Sequence, residues 1–197
     1  MNLETLLDRL REFDLLLDTD PALPSVSGIV AGGPVRGSWW SHPRAKLMYK
    51  LAIELRDHPD ALFIRLVSGK LTYVHRNLWP AIFSIGAARE PWQLQDLSKP
   101  AKHLLDRLDR EASLRAAGDP ARELEDRLLA RCESVHTEKG SHAKQLQAWP
   151  AWGESVQLAG PALSPAEAKA QIENTVRRLN RQFQAKGKLP WTGRAML

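Results

Sequence analysis

The chain lacks several features that would place it in a specialised class of protein. It has one cysteine, Cys132, so neither an intramolecular disulfide nor a CxxC metal or redox motif can form. It has no apolar run near the roughly 20 residues that cross a bilayer. Its N-terminus is acidic at Glu4 and lacks the basic segment that opens a signal peptide. These absences predict a soluble protein of the reducing cytoplasm, with no membrane partner.

The sequence signatures of the common enzyme classes are also missing. Gly32-Gly33 is not followed by the Gly-Lys-Ser/Thr of a phosphate-binding loop, and there is no GxSxG elbow, kinase signature, dinucleotide fingerprint or HExxH motif. Cys132 stands next to Glu133 in a predicted helix, which is a poor setting for a thiolate nucleophile. The sequence therefore predicts no cofactor and no metal, and it leaves open whether the protein is an enzyme.

Acidic side chains are missing from the C-terminal end of the chain. Six cations follow Glu173 with no acidic residue among them: Arg177, Arg178, Arg181, Lys186, Lys188 and Arg194. Together they exceed the whole formal net charge of +5, so the rest of the chain is close to neutral. A local positive excess favours an anionic partner, and nucleic acid, either DNA or RNA, is the leading candidate.

The spacing of apolar residues predicts an α-rich α+β fold with no internal repeat. A capping box at Ser164 and Glu167 opens a C-terminal amphipathic helix with an apolar stripe. We expect one mainly helical domain over residues 1–163 and a basic helix and tail over 164–197. The other predicted segments are helices near residues 3–17, 42–56, 78–88, 97–116 and 120–133, a glycine- and proline-rich loop over 20–38, and an irregular segment over 134–163.

Residues 61–75 carry the clearest strand signal and predict one β-hairpin with a tight turn at Ser68-Gly69. A two-residue turn would place Leu62 opposite His75. With the helix over 42–56 before it, the hairpin resembles in outline the recognition helix and wing of a winged-helix domain. The long preceding linker and the single helix upstream weigh against that match.

The residues predicted to contact nucleic acid lie in three places. Trp39 and Trp40 follow the glycine-rich loop, and in an extended segment at most one of them can face the core. The other is then free to stack on a base, unless the pair only covers the core. The cations lie at the hairpin and in the C-terminal arm: Arg65, Lys70, Arg76, Arg177, Arg178, Arg181, Lys186 and Lys188.

Two other functions remain open. A small enzyme could use His136, Glu138 and His142 for acid–base chemistry on an anionic substrate, joined by His75, His42 and Lys70 if they reach the same cleft. A hairpin closed at Lys139-Gly140 would pair Thr137 with His142 and split that set, and a plain polar turn is the simpler interpretation. Alternatively, the C-terminal helix could dock a protein partner or form a homodimer.

Three segments resemble an uncharacterised family of small bacterial proteins. They are GSWWSHP at 37–43, SGKLTYVHR at 68–76 and VHTEKGSH at 135–142. The resemblance covers about residues 35–152 and leaves the basic arm outside it. No activity is assigned to the family, so the resemblance implies no catalytic residues. It does imply that the three segments converge in one fold.

Overall fold

Helices and two small antiparallel sheets make up the computed structural model, which describes residues 1–136, 142–158 and 160–192. The chain divides into two compact units. Unit 1 comprises Met1–Trp79 and Ala170–Leu189, and unit 2 comprises Pro80–Lys169 and Pro190–Leu197. The boundary predicted at residue 163 is therefore not the one that the packing follows, because most of the C-terminal helix belongs with the N-terminal residues.

Unit 1 contains an antiparallel sheet and the helices around it. Its strands are ordered β1-β3-β2. In chain order its elements are α1 (Leu3–Phe13), β1 (Leu15–Leu17), α2 (Val26–Ala31), α3 (Ala45–Arg56), β2 (Ala61–Arg65) and β3 (Leu71–His75).

The first helix is shorter than predicted. It buries Leu6 and Leu10 as expected, but it ends at Asp14, which has a left-handed φ of 62° and donates its N–H to the Leu10 carbonyl. The next three leucines form the fully buried strand β1, which pairs with β3. Leu17 therefore belongs to a strand, because the left-handed residue redirects the chain into the sheet.

The segment over 20–38 is not wholly a loop. Ser25 accepts a hydrogen bond from the Gly28 N–H and caps α2, which ends at Gly32 with a φ of 83°. The buried Val26 and Val30 explain why this short helix packs against the rest of unit 1. Two helices, α1 and α2, therefore precede α3, where the sequence predicts one.

The predicted hairpin forms, but with a different register. Leu62 pairs with Val74, and His75 pairs with Ala61. The cause is the turn, because a 3₁₀ segment over Val67–Gly69 replaces the two-residue loop, and Ser68 adopts a left-handed φ of 53°. Shifting the register by one residue changes which side chains share a face.

Unit 2 contains the second sheet, with strands ordered β4-β6-β5. Two helices cross the division between the units, α4 (Trp79–Ala87) and α9 (Pro165–Gln182). The remaining elements are α5 (Pro91–Leu94), α6 (Lys99–Glu111), β4 (Ser113–Ala116), α7 (Asp119–Asp126), β5 (Arg131–His136), β6 (His142–Gln147) and α8 (Trp149–Ser155).

Three predictions for this part of the chain are wrong. The helix expected over 97–116 ends at the left-handed Ala112 and continues as β4. The helix expected to reach residue 133 ends at Asp126, so Cys132 lies in strand β5. The segment expected to be irregular contains β6 and α8. The chain therefore has a second hairpin, because β5 and β6 pair with each other and β4 pairs with β6.

The two units share an order of elements, although the sequence predicts no internal repeat. In each, a helix is followed by a short edge strand, then by helical residues, then by a hairpin whose second strand is central. The helices α1 and α6 both contain Leu-Leu-Asp-Arg-Leu, at 6–10 and 104–108. The carbonyls of the left-handed residues Asp14 and Ala112 accept the N–H groups of His75 and Ala148, at 2.9 and 2.8 Å. The chain therefore contains a structural repeat.

The C-terminal helix α9 begins at the predicted capping box, where Ser164 and Glu167 exchange hydrogen bonds. Its predicted apolar stripe is confirmed, since Ile172, Val176 and Leu179 are buried. Among the described residues, no helix combines the length and apolar character that crossing a membrane requires.

Candidate nucleic-acid interface

Helix α3 presents a basic and aromatic face to solvent. Its buried side is formed by Met48, Leu51 and Leu55. Lys46, Tyr49 and Lys50 are exposed. Lys50 forms an ion pair with Glu54 at 3.7 Å, in an exposed geometry that contributes little to stability.

The sequence carries a signal for this face in addition to the cations after Glu173. Between Asp20 and Glu54 the chain has no acidic residue, yet it holds Arg36, Arg44, Lys46 and Lys50. Two of these cations, Arg44 and Lys46, lie at the N-terminus of α3, where the helix dipole disfavours positive charge. A scan for stretches without acidic residues finds this segment as readily as the one after Glu173.

Trp39 and Trp40 form an exposed aromatic cluster with Tyr49. The two indole rings stack with centroids 4.0 Å apart and planes 22° apart. Trp40 is 63% exposed and lies 5.6 Å from the Tyr49 ring, which is 50% exposed. The extended segment expected here is instead a 3₁₀ turn, Trp39–Ser41, in which neither tryptophan is buried.

The residues between the aromatic cluster and α3 fix where the helix begins. The His42 Nδ1 accepts the N–H of Arg44 at 3.1 Å, and the guanidinium of Arg44 donates to the Val30 carbonyl at 2.9 Å. Arg44 thus ties the start of α3 to the end of α2. The helix begins at Ala45 rather than near His42.

Two of the three hairpin cations predicted to contact nucleic acid, Arg65 and Lys70, bind groups within unit 1. Arg65 donates to the Gly69 carbonyl at 3.0 Å, and Lys70 forms a 2.7 Å ion pair with Asp20. Burial of Asp20 opposes its ionisation, but the hydrogen bonds from Lys70 and from the N–H groups of Ala22 and Leu23 hold its pKa below the usual value. Lys70 remains 45% exposed, so one side of its ammonium can still reach an anion.

The cations of the C-terminal helix divide between structural and solvent positions. Arg178 forms a 3.0 Å ion pair with Asp14 and donates to the carbonyls of Glu12 and Phe13, so it caps the end of α1. Arg177 is exposed and donates to the Asn174 side chain on its own helix. Arg181 is exposed. The third hairpin cation, Arg76, forms a 3.0 Å ion pair with Asp60.

The segment after α9 returns to the tip of the first hairpin. The Asn180 side chain bonds both the N–H and the carbonyl of Gly187 and so reverses the chain. Ser68 donates its N–H to the Lys188 carbonyl at 2.7 Å, and its hydroxyl accepts the Lys188 N–H at 3.1 Å. The exposed side chains of Lys186 and Lys188 are therefore held beside the hairpin turn.

All of these residues belong to unit 1, and this unit also carries the chain's excess of Lys and Arg over Asp and Glu. Unit 1 holds 15 Lys and Arg residues against 10 Asp and Glu, whereas unit 2 holds 13 of each. The whole excess of +5 is thus concentrated in the unit that carries α3, the first hairpin and the C-terminal segment.

The described residues include only part of the predicted catalytic set. His75 is buried at the end of β3, where its Nδ1 faces the Asn77 N–H at 3.4 Å and burial lowers its pKa. His136 and His142 are register partners of β5 and β6, in place of the predicted pairing of Thr137 with His142. Glu138 lies outside the described residues. Within the described part of the chain, no group of three or more metal-binding side chains is found.

Cys132 is expected to react slowly in the folded protein. The thiol is buried, and burial together with the charge of Glu125 raises its pKa to about 12. At about pH 8 the thiolate fraction is then lower than that of an ordinary thiol by roughly a thousandfold. Alkylation by iodoacetamide, followed by mass spectrometry, should show little product in buffer and full labelling in denaturant. Equal labelling rates would contradict the buried position.

Comparison of the chain with models of known protein families, with curated proteins and with solved structures finds no match. The resemblance to a bacterial family therefore stays a prediction, and the functional argument rests on the geometry of unit 1.

Proposed function

We propose that unit 1 is a winged-helix-like module that binds nucleic acid, with α3 as the recognition helix. The observation that carries the proposal is the exposed face of α3, where Lys46, Tyr49 and Lys50 point to solvent within a segment that lacks acidic residues. Side chains on one exposed helical face can reach phosphates and base edges together when the helix lies in a groove.

The order of elements in unit 1 supports this proposal. A winged-helix domain has a helix, a strand, two helices and then a hairpin whose second strand is central. The elements from α1 to β3 follow this order. The presence of α2 removes the objection that only one helix precedes α3. Arg44 joins α2 to the start of α3 through the Val30 carbonyl.

The hairpin tip has the chemistry of a wing that follows phosphates. Lys186 and Lys188 extend the set of cations there, since the hydrogen bonds between Ser68 and Lys188 hold the C-terminal segment against the turn. In this proposal the C-terminal cations act from a fixed place beside the hairpin, rather than from a free arm. Each phosphate contact releases a counterion, so the affinity falls as salt rises.

The test is fluorescence anisotropy of a labelled DNA duplex with the full chain, titrated between about 50 and 200 mM salt. We expect salt-dependent binding. The double substitution Lys46→Glu, Lys50→Glu should weaken it at least about tenfold and reduce the salt slope by about two. Lys186→Glu with Lys188→Glu should lower the affinity by a smaller factor.

The matched control reverses two lysines in unit 2, Lys99→Glu and Lys102→Glu, which are exposed on α6. It changes the net charge by the same amount, so a loss specific to α3 cannot arise from net charge alone. Circular dichroism should show that both variants are folded. No duplex binding at the lowest salt, or equal losses in the two variants, would refute the assignment of α3.

A further inference from the structure

We propose that the aromatic cluster of Trp39, Trp40 and Tyr49 is a stacking site for an unpaired nucleobase, so that the protein prefers nucleic acid with single-stranded character. This inference rests on the proposed nucleic-acid function of unit 1 and adds the class of substrate that the site selects.

The exposed rings provide the surface that an unpaired base needs. Trp40 is 63% exposed although it stacks on Trp39 at 4.0 Å, so contact with its neighbour leaves most of its surface in water. Tyr49 is 50% exposed and inclined by 43° to the Trp40 ring. Exposing apolar ring surface of this size costs free energy, and stacking a base on it would recover that cost.

The charges around the cluster favour a nucleobase over a side chain of another protein. Lys46 and Lys50 lie one turn or less from Tyr49 on α3, and Arg36 precedes the tryptophans. No acidic residue lies between Pro21 and Ile53. Aromatic rings between cations match a single strand, whose bases alternate with phosphates along the backbone. An apolar protein partner would gain nothing from these lysines.

The connection before α3 places the cluster at the start of the proposed recognition helix. A helix-turn-helix usually joins its two helices with three or four residues. Here residues 32–44 separate α2 from α3, and they contain the turn Trp39–Ser41. His42 and Arg44 fix the chain between this turn and the helix. The added residues therefore hold the two tryptophans next to the helix that is proposed to contact the groove.

The experiment compares Trp40→Ala with Trp40→Phe in the full chain. The probes are labelled oligo-dT, oligo-U and a mixed-sequence duplex, measured by anisotropy and by quenching of tryptophan fluorescence. We expect Trp40→Ala to weaken binding of the single strands by about tenfold and to change duplex binding by less than about twofold. Trp40→Phe keeps a ring and should retain most of the single-strand affinity.

The outcomes separate this inference from the function on which it rests. Duplex binding that depends on Lys46 and Lys50, together with single-strand binding that ignores Trp40, would overturn the stacking site alone. An equal loss for duplex and single strands in Trp40→Ala would also overturn it, because the ring would then act on phosphate positioning. No binding of any probe by the unmodified chain would overturn both.

Discussion

Gly86→Ala is expected to destabilise unit 2 by about 3 kcal/mol. Gly86 is a buried residue of α4, and a Cβ built on it would lie 2.4 Å from the Nε1 and Cε2 atoms of Trp149. Overpacking of this kind costs about 1–3 kcal/mol. The indole N–H donates to the Leu128 carbonyl at 2.7 Å, so displacement of the ring also removes a buried hydrogen bond. Helix propensity alone predicts the opposite sign, a gain of about 1 kcal/mol.

Urea unfolding of the two proteins, followed by circular dichroism and tryptophan fluorescence, measures this difference in the free energy of unfolding. Gly33→Ala is the matched control, because no atom lies within 4 Å of the Cβ it would add and its φ is not left-handed. The control should leave stability within about 0.5 kcal/mol. A stabilised Gly86→Ala protein would show that Trp149 does not press on this glycine.

Arg127→Met is expected to cost about 3 to 5 kcal/mol of stability. Arg127 is 7% exposed, and its guanidinium donates to four backbone carbonyls of one turn. The acceptors are the carbonyl oxygens of Trp92, Gln93, Gln95 and Asp96. Methionine fills a similar volume but supplies no donor, so these carbonyls lose a shared partner. Glu123, 3.5 Å from the guanidinium, would lose its charge partner as well.

Arg122→Met is the matched control for this loss. Arg122 lies on the same helix, α7, and forms a 2.7 Å ion pair with Asp126, but both side chains are more than 40% exposed. An exposed pair of this kind contributes less than about 1 kcal/mol. Urea unfolding should therefore separate the two variants clearly. Equal stabilities would mean that the carbonyls around Arg127 find other donors at no cost.

Much of the helical structure could be predicted because its signals are local. The apolar stripe and capping box of α9 identified that helix, and the spacing of Leu51 and Leu55 identified α3 to within three residues of its start. Such signals depend on residues within one or two turns of each other. Neighbouring residues alone were enough for these elements.

Strands β1 and β4 could not be predicted in the same way. Each has four residues or fewer and follows a helix after one left-handed residue, which is Asp14 or Ala112 rather than glycine. Their pairing partners lie at least 28 residues later in the chain. Tertiary pairing therefore overrides a helical pattern that continues past Phe13, and local propensity contains no sign of it.

The candidate interface was predicted in part. Trp39, Trp40 and the hairpin cations belong to the set predicted from the sequence, but Lys46, Tyr49 and Lys50 of α3 do not, because the cations after Glu173 form the larger local excess of positive charge. Arg178 illustrates the difference between a charge in the sequence and a charge at a surface. Its role as a cap on α1 depends on Asp14, which is 164 positions away in the chain.

The return of the C-terminal segment to unit 1 has a consequence for synthesis on the ribosome. Residues Pro80–Lys169 of unit 2 lie between the two parts of unit 1 in the sequence. They are therefore made before Ile172, Val176 and Leu179 leave the ribosomal exit tunnel. Until then the nascent N-terminal part lacks a helix of its core and exposes the apolar surface that this helix covers. Newly made chains should therefore depend on chaperones for most of their translation, and premature termination near the end should yield aggregating fragments.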